Sequence, residues 1–205
     1  MITTFRWSAL LVGALALGTI AQAQQGAHSL SADVAVTYVA ERAKVSTTDC
    51  GCFWLQGGSI DVAVPLFRGL GVAASLAGEH TSNIGPGVDL SKLAFMAGPR
   101  YTFNTSRWTH RLPKGKHGTS MFAEALFGTA HGFDSAFTTP TGTRNSANSL
   151  SMQFGGGLNI GLARGFSLRA FELDYVRSNF PNSANNTQND LRLAIGFIYH
   201  IGGER

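Results

Sequence analysis

Charge is scarce in this sequence. Asp, Glu, Lys and Arg make up 14% of 205 residues, against ~25% in an ordinary soluble domain. A disordered chain carries more charge and fewer aromatics than the 14 Phe, 4 Tyr and 3 Trp present here. The excess of base is small, a formal +4, and no basic stripe or recognition motif accompanies it, so no nucleic-acid partner is expected. Two cysteines are too few for a disulfide scaffold. After residue 23 no uncharged apolar run reaches the ~18 residues of a membrane-spanning helix. What the chain has in quantity is glycine, 25 residues, which together with the aromatics points to strands and turns.

Residues 1–23 read as a cleaved secretory signal. Arg6 supplies the positive start, Ser8 to Ile20 the short apolar run, and Ala21-Gln22-Ala23 the cleavage site. The expectation is an exported protein whose folded domain is residues 24–205.

The remainder alternates with a period of two, the strand period, because successive side chains point to opposite faces. Leu150, Met152, Phe154, Leu158, Ile160 and Leu162 share one face; Ser151, Gln153, Gly155, Gly157, Asn159 and Gly161 share the other. From Asp190 to Ile201, Leu191, Leu193, Ile195, Phe197, Tyr199 and Ile201 oppose Arg192, Ala194, Gly196, Ile198 and His200. Six further segments, near 31–42, 54–65, 70–80, 92–103, 119–131 and 166–178, bring the total to eight strands. At ten to thirteen residues they are longer than the ~5–6 of ordinary strands and suit a tilted crossing of a bilayer.

The large apolar side chains line one face of each strand and small or polar ones the other. A soluble barrel with a ligand cavity needs apolar residues inward and polar ones outward, and the small-residue face has too little apolar volume for that. A barrel turned inside out in lipid satisfies the pattern, and closure satisfies every backbone group without water. The expected fold is therefore all-β: an eight-stranded antiparallel up-and-down transmembrane β-barrel. Long polar loops near 43–53, 81–91, 132–148 and 179–189 alternate with short turns at 65–69 and 163–165, the habit of outer-membrane barrels. Asn104 to Gly118 is the exception, a long turn on the periplasmic side holding Arg107, Arg111, Lys114 and Lys116 with no acid between them. Such a run suits a tether to anionic lipid or wall polymer, or else a solvated insertion.

Gly98-Pro99-Arg100-Tyr101, Glu124-Ala-Leu-Phe-Gly128, Gly155-Gly-Gly-Leu-Asn159, Asp174-Tyr175 and the closing strand 190–201 together resemble the small outer-membrane β-barrels of OmpA/OmpX type, over about residues 30–202. The resemblance implies location in the outer membrane of a Gram-negative-type bacterium and both termini in the periplasm, and it does not imply catalysis. It implies outer-membrane lipids and the assembly machinery as partners. Such chains commonly end in an aromatic residue that this machinery reads; here the last aromatic is Tyr199, six residues before the end.

Eight strands enclose a lumen just wide enough for side chains, so charges turned inward must pair. The inward set is Asp33, Asp61, Arg100, Glu124, Glu172, Asp174, Arg192 and His200. Strand direction sets Arg100 beside Glu124, Asp174 beside Arg192, and Asp33 beside His200 where the barrel closes. Phe171, Leu173 and Tyr175 face outward, which puts Arg169 and Arg177 on the lipid face as well. The set reads as an ion network filling the lumen, with no catalytic, cofactor or metal site. Cys50 and Cys52, in the first loop of an exported chain, are expected as a disulfide. The function expected is structural, or surface binding and adhesion through extracellular loops. A narrow pore for ions or small solutes is the alternative. A lipid-modifying hydrolase using His80 or His131 with Ser82 or Ser135 comes third, since neither histidine has an acidic partner in the sequence.

Overall fold

The computed structural model describes residues 31–44, 52–85, 88–104, 118–139, 142–182 and 186–202. The strands are β1 (Ala32–Lys44), β2 (Cys52–Phe67), β3 (Leu70–Gly85), β4 (Val88–Asn104), β5 (Thr119–Phe133), β6 (Phe137–Thr139), β7 (Gly142–Arg144), β8 (Ala147–Ala163), β9 (Phe166–Ser178) and β10 (Gln188–Ile201). Eight of them close into one antiparallel barrel in the order β1-β10-β9-β8-β5-β4-β3-β2. The short pair β6–β7 forms a separate hairpin inside the β5–β8 connection. Every barrel strand thus pairs with its neighbours in sequence, and the first with the last. The seam runs from Ala32 opposite Ile201 to Arg42 opposite Leu191.

Both ends of the folded chain, the Arg68–Gly69 turn and the Arg164–Gly165 turn lie at one end of the barrel, here the terminal end. The other, the loop end, carries the β6–β7 hairpin and residues 179–182 and 186–187. Barrel strands run 13 to 17 residues, longer than the sequence periodicity indicates. The difference is greatest around 81–91, where the long loop expected there is mostly strand: β3 continues to Gly85 and β4 begins at Val88. Past the apolar band the ladder continues with polar residues such as Thr81 opposite Leu90.

The alternation is carried through in three dimensions. Val36, Ile60, Phe95, Leu150, Ile195 and Phe197 are each more than half exposed on the outside of the barrel. Inside, Ala63, Ala73, Ala94, Met96, Leu126 and Ala130 make an apolar wall from β2 to β5. The inside is fuller than the small-residue pattern suggests: Val39, Leu55, Phe122 and Ile198 are also buried there.

One irregularity reorients a strand. Phe171 faces Leu158 across the β8–β9 ladder, while the next pair is Arg169 with Asn159, which leaves Ala170 as an extra residue. On the other side Glu172 pairs with Ala194 and Arg169 with Gly196, the same offset. A β-bulge of this kind inverts the in–out phase of everything on one side of it. Phe171, Leu173, Tyr175 and Arg177 stay outside as the sequence indicates. Arg169 does not: it is 1% exposed, inside the barrel. Its expected place on the lipid face is therefore corrected, and Ser167, two residues below it, is turned inward as well.

The glycines of β8 set how closely β9 can approach. Gly155 lies opposite Asp174, and a Cβ there would strike the Asp174 carboxylate and the Leu173 carbonyl. Gly155→Val should push Asp174 away from its partners and lower the temperature at which the folded form loses its fast gel mobility. Phe154→Leu, one residue along on the outer face, should leave that temperature nearly unchanged.

Candidate functional site

The charged interior is the densest chemistry in the molecule. Among the described residues, seven acids (Glu41, Asp61, Glu79, Glu124, Glu172, Asp174 and Asp190) and four bases (Lys92, Arg100, Arg169 and Arg192) are buried. Burying so many charges is tolerable only when they pair.

Arg100, late in β4, and Glu124, early in β5, stand opposite each other. Nε of Arg100 donates to Glu124 Oε2 at 2.6 Å, and Nη2 lies 2.5 Å from the same oxygen. Gln153 on β8 donates to the other carboxylate oxygen at 3.1 Å. Arg192 in turn donates to Gln153 at 2.6 Å and to Asp174, its register partner on β9, at 3.3 Å. Gln153 so connects the two expected pairs into one chain. Arg169 fills the space beneath: Nη1 donates to Asp61 at 2.9 Å and to Glu172 at 2.7 Å. The Arg100 and Arg169 guanidiniums lie over the Phe122 ring at 4.4 and 4.7 Å. That arrangement packs carbon against the flat face of each charge. Asp61 also accepts from Ser59, which is hydrogen-bonded to Thr37.

Carboxylate oxygens of Glu124, Glu172 and Asp174 lie within 4.8 Å of one another. That spacing suits a cation, but Arg100, Arg169 and Arg192 each contact one of the three. The positive charge such a cluster needs is already supplied by the chain.

Toward the loop end, Lys92 pairs with Glu41 and, at 2.9 Å, with Glu79. Sequence periodicity puts Lys92 on the inner face, but its partnership with Glu41 spans the lumen between strands far apart in the chain. Above it the loop end is stoppered. Phe137 from β6 and Phe180 from the β9–β10 connection are both buried, with ring centroids 5.5 Å apart. Gln188 holds the second ring in place by accepting from the Phe180 backbone N–H at 2.8 Å and donating to its carbonyl at 3.0 Å. Neither phenylalanine stands out in the sequence, because both lie outside the barrel periodicity.

At the terminal end Asp33 Oδ1 and His200 Nδ1 are 2.6 Å apart across the seam. Ser167 Oγ lies 2.8 Å from the other ring nitrogen. At the loop end His80 Nδ1 is 3.0 Å from Ser91 Oγ, whose hydroxyl reaches Asp134 at 3.2 Å, and Ser82 is 3.4 Å from Nε2. His131 bonds Asn148 at 2.7 Å. Cys52 opens β2 opposite Lys44. Cys50, Arg107, Arg111, Lys114, Lys116 and the segment 1–23 lie outside the described residues.

No protein-family model and no curated protein matches this chain. Solved structures do. The chain is similar to Ail, the attachment invasion locus protein of Yersinia pestis, at 16% identity and a TM-score of 0.53, over 85% of this chain and 100% of that one. Ail in complex with the heparin analogue sucrose octasulfate matches at 17% and 0.54, over the same shares. Neisserial surface protein A matches at 12% and 0.57, over 82% of this chain and 96% of that one. At these identities the likeness is one of fold: this chain has the fold of the small eight-stranded outer-membrane barrels.

The Arg169 contacts give a direct test of the lumen network. Arg169→Met should cost roughly 3–5 kcal/mol by leaving Asp61 and Glu172 buried without their cation. Adding Asp61→Asn and Glu172→Gln should recover much of that loss in urea titrations of the refolded barrel. Losses that simply add would mean the three residues do not interact.

Proposed function

We propose that the protein is a structural and surface-binding barrel of the bacterial outer membrane, exported after removal of residues 1–23. The outer band of exposed Val, Leu, Ile and Phe side chains carries this reading. In water such a continuous apolar surface invites aggregation, whereas against lipid tails it is the stable arrangement. Closure leaves no strand edge with unpaired backbone groups, the condition for crossing hydrocarbon. With the termini in the periplasm, the loop end faces outward and presents the β6–β7 hairpin and the 179–187 connection.

The ion network, on this reading, fills and rigidifies the lumen and holds the outward loops in place. Ail, a surface protein of the same fold, has been crystallised with a sulfated heparin analogue; by analogy the loops here are where an extracellular ligand would bind. The pore alternative is disfavoured by the Phe137–Phe180 stopper, by the charge pairs below it and by the apolar wall on β2 to β5. The loop-end hydrolase is disfavoured because Asp134 meets Ser91, not the His80 ring. The basic turn 104–118 is proposed as a periplasmic tether to anionic lipid or wall polymer, and Cys50 with Cys52 as a disulfide.

An epitope inserted between β6 and β7 should be reachable by antibody on intact cells, and one inserted at Arg164–Gly165 should not. The reverse pattern would sink the orientation. Phe95→Lys, at the middle of β4 on the outer face, should destabilise the barrel in liposomes by about 2–4 kcal/mol. An unchanged stability would mean that this face does not meet lipid.

A further inference from the structure

Ser167, His200 and Asp33 form a row across β9, β10 and β1 at the terminal end of the lumen. His200 lies directly opposite Asp33 in the seam, and Ser167 sits opposite Ile198, one diagonal step from His200. The imidazole is bonded on both nitrogens: Nδ1 to Asp33 Oδ1 at 2.6 Å and Nε2 to Ser167 Oγ at 2.8 Å. A carboxylate only accepts, so Nδ1 carries a ring hydrogen, and in the neutral imidazole Nε2 is then the acceptor for the Ser167 hydroxyl. This is the order of contacts that makes a serine nucleophilic: a base within reach of the hydroxyl, and an acid that fixes the tautomer of the base.

Two features make the row more than a clamp on the seam. The Asp33–His200 contact already joins β10 to β1, so Ser167 adds nothing to closure. Ser167 reaches the ring only because the Ala170 bulge turns it inward, and bulges beside functional sites commonly serve to re-aim a side chain. A cavity of about 210 Å³ also adjoins Asp33, with Ala63, Gly71, Arg100 and Thr102 among its walls. It lies on the side of Asp33 away from His200, and its volume limits a substrate held beside Asp33 to a short chain. The Ser82–His80 pair at the loop end has a longer contact and no carboxylate on its ring.

We propose that Ser167, His200 and Asp33 are a hydrolytic site for short-chain carboxylic esters that enter from the terminal end. Ser167 Oγ attacks the ester carbonyl carbon as its proton passes to His200 Nε2. The bond to the alcohol oxygen breaks, and the alcohol leaves with that proton. Water then adds to the acyl carbon and gives a proton to Nε2. The acyl–Oγ bond breaks, Ser167 recovers the proton, and the carboxylic acid departs. This activity goes beyond the display role of the loops and does not depend on it.

The test uses the full mature chain refolded in detergent micelles, with the mobility shift on boiling as proof of folding for each variant. The probes are a fluorophosphonate and p-nitrophenyl butyrate. The folded wild type should be labelled on Ser167 and should release p-nitrophenol. Ser167→Ala should abolish both while keeping the mobility shift. Asp33→Asn should lower turnover by up to about 10⁴-fold, the size of effect seen when a triad carboxylate is lost elsewhere. Ser82→Ala should change neither. Ser167→Thr is the second folded variant should alanine at 167 fail to refold, and it too should lose labelling. A folded wild type that is neither labelled nor faster than Ser167→Ala would overturn the proposal. So would activity that survives in a folded Ser167 variant or disappears with Ser82→Ala.

Discussion

The seam between β1 and β10 is the constraint from which the rest of this structure follows. Joining the first strand to the last removes both sheet edges at once, so no row of backbone N–H and C=O groups is left to find water. With eight strands the enclosed space is fixed at about the width of its side chains. Every inward residue then meets not only its ladder neighbours but the opposite wall. That is why Lys92 on β4 can reach Glu41 on β1, and why Arg169 on β9 reaches Asp61 on β2. In a solvated sheet the same charges would lie on an open face and contribute little.

Within that narrow space the interior is divided. Ala63, Ala73, Ala94, Met96, Leu126 and Ala130 pack on β2 to β5, sharing those strands with Asp61, Glu79, Lys92, Arg100 and Glu124, while the other buried charges come from β9, β10 and β1. Arg100 and Arg169 bridge the halves by laying their guanidiniums over Phe122 while their N–H groups engage carboxylates. Arginine suits this double role, since its planar cation is weakly hydrated and bonds in the plane while stacking above it. A lysine at either position would keep the charge and lose the packing.

Much of the barrel was legible because it follows from one number, the strand period of two. Period and direction alone set Arg100 beside Glu124, Asp174 beside Arg192 and Asp33 beside His200, and the structure has each of these in contact. The period fails at Ala170. One extra residue there flips the phase, so extrapolating down from Phe171, Leu173 and Tyr175 sends Arg169 and Ser167 to the wrong face. The sequence does carry a sign of it: Phe166 and Leu168 form an outward pair three residues out of step with Phe171. The cross-lumen contacts of Lys92 and the inward folding of Phe137 and Phe180 leave no such sign. They depend on how the closed barrel brings distant strands and loops together.

The two ends of the lumen are built differently. At the loop end, the Phe180 segment is fixed by Gln188 and by the backbone N–H of Asn179, which donates to Ser149 at 2.5 Å, and Phe137 packs against the Phe180 ring. These contacts tie the loops to the strands beneath them, so a ligand on the loops meets a braced surface. Below the stopper the ion pairs resist displacement, because moving one of them strands a buried charge. At the terminal end a cavity lies beside Asp33 on the β2 to β4 side, while His200 and Ser167 lie on the other side of Asp33. That cavity ends against Arg100, which is held by Glu124. The charge pairs thus lie between the buried phenylalanines of the loop end and the Ser167–His200–Asp33 row of the terminal end.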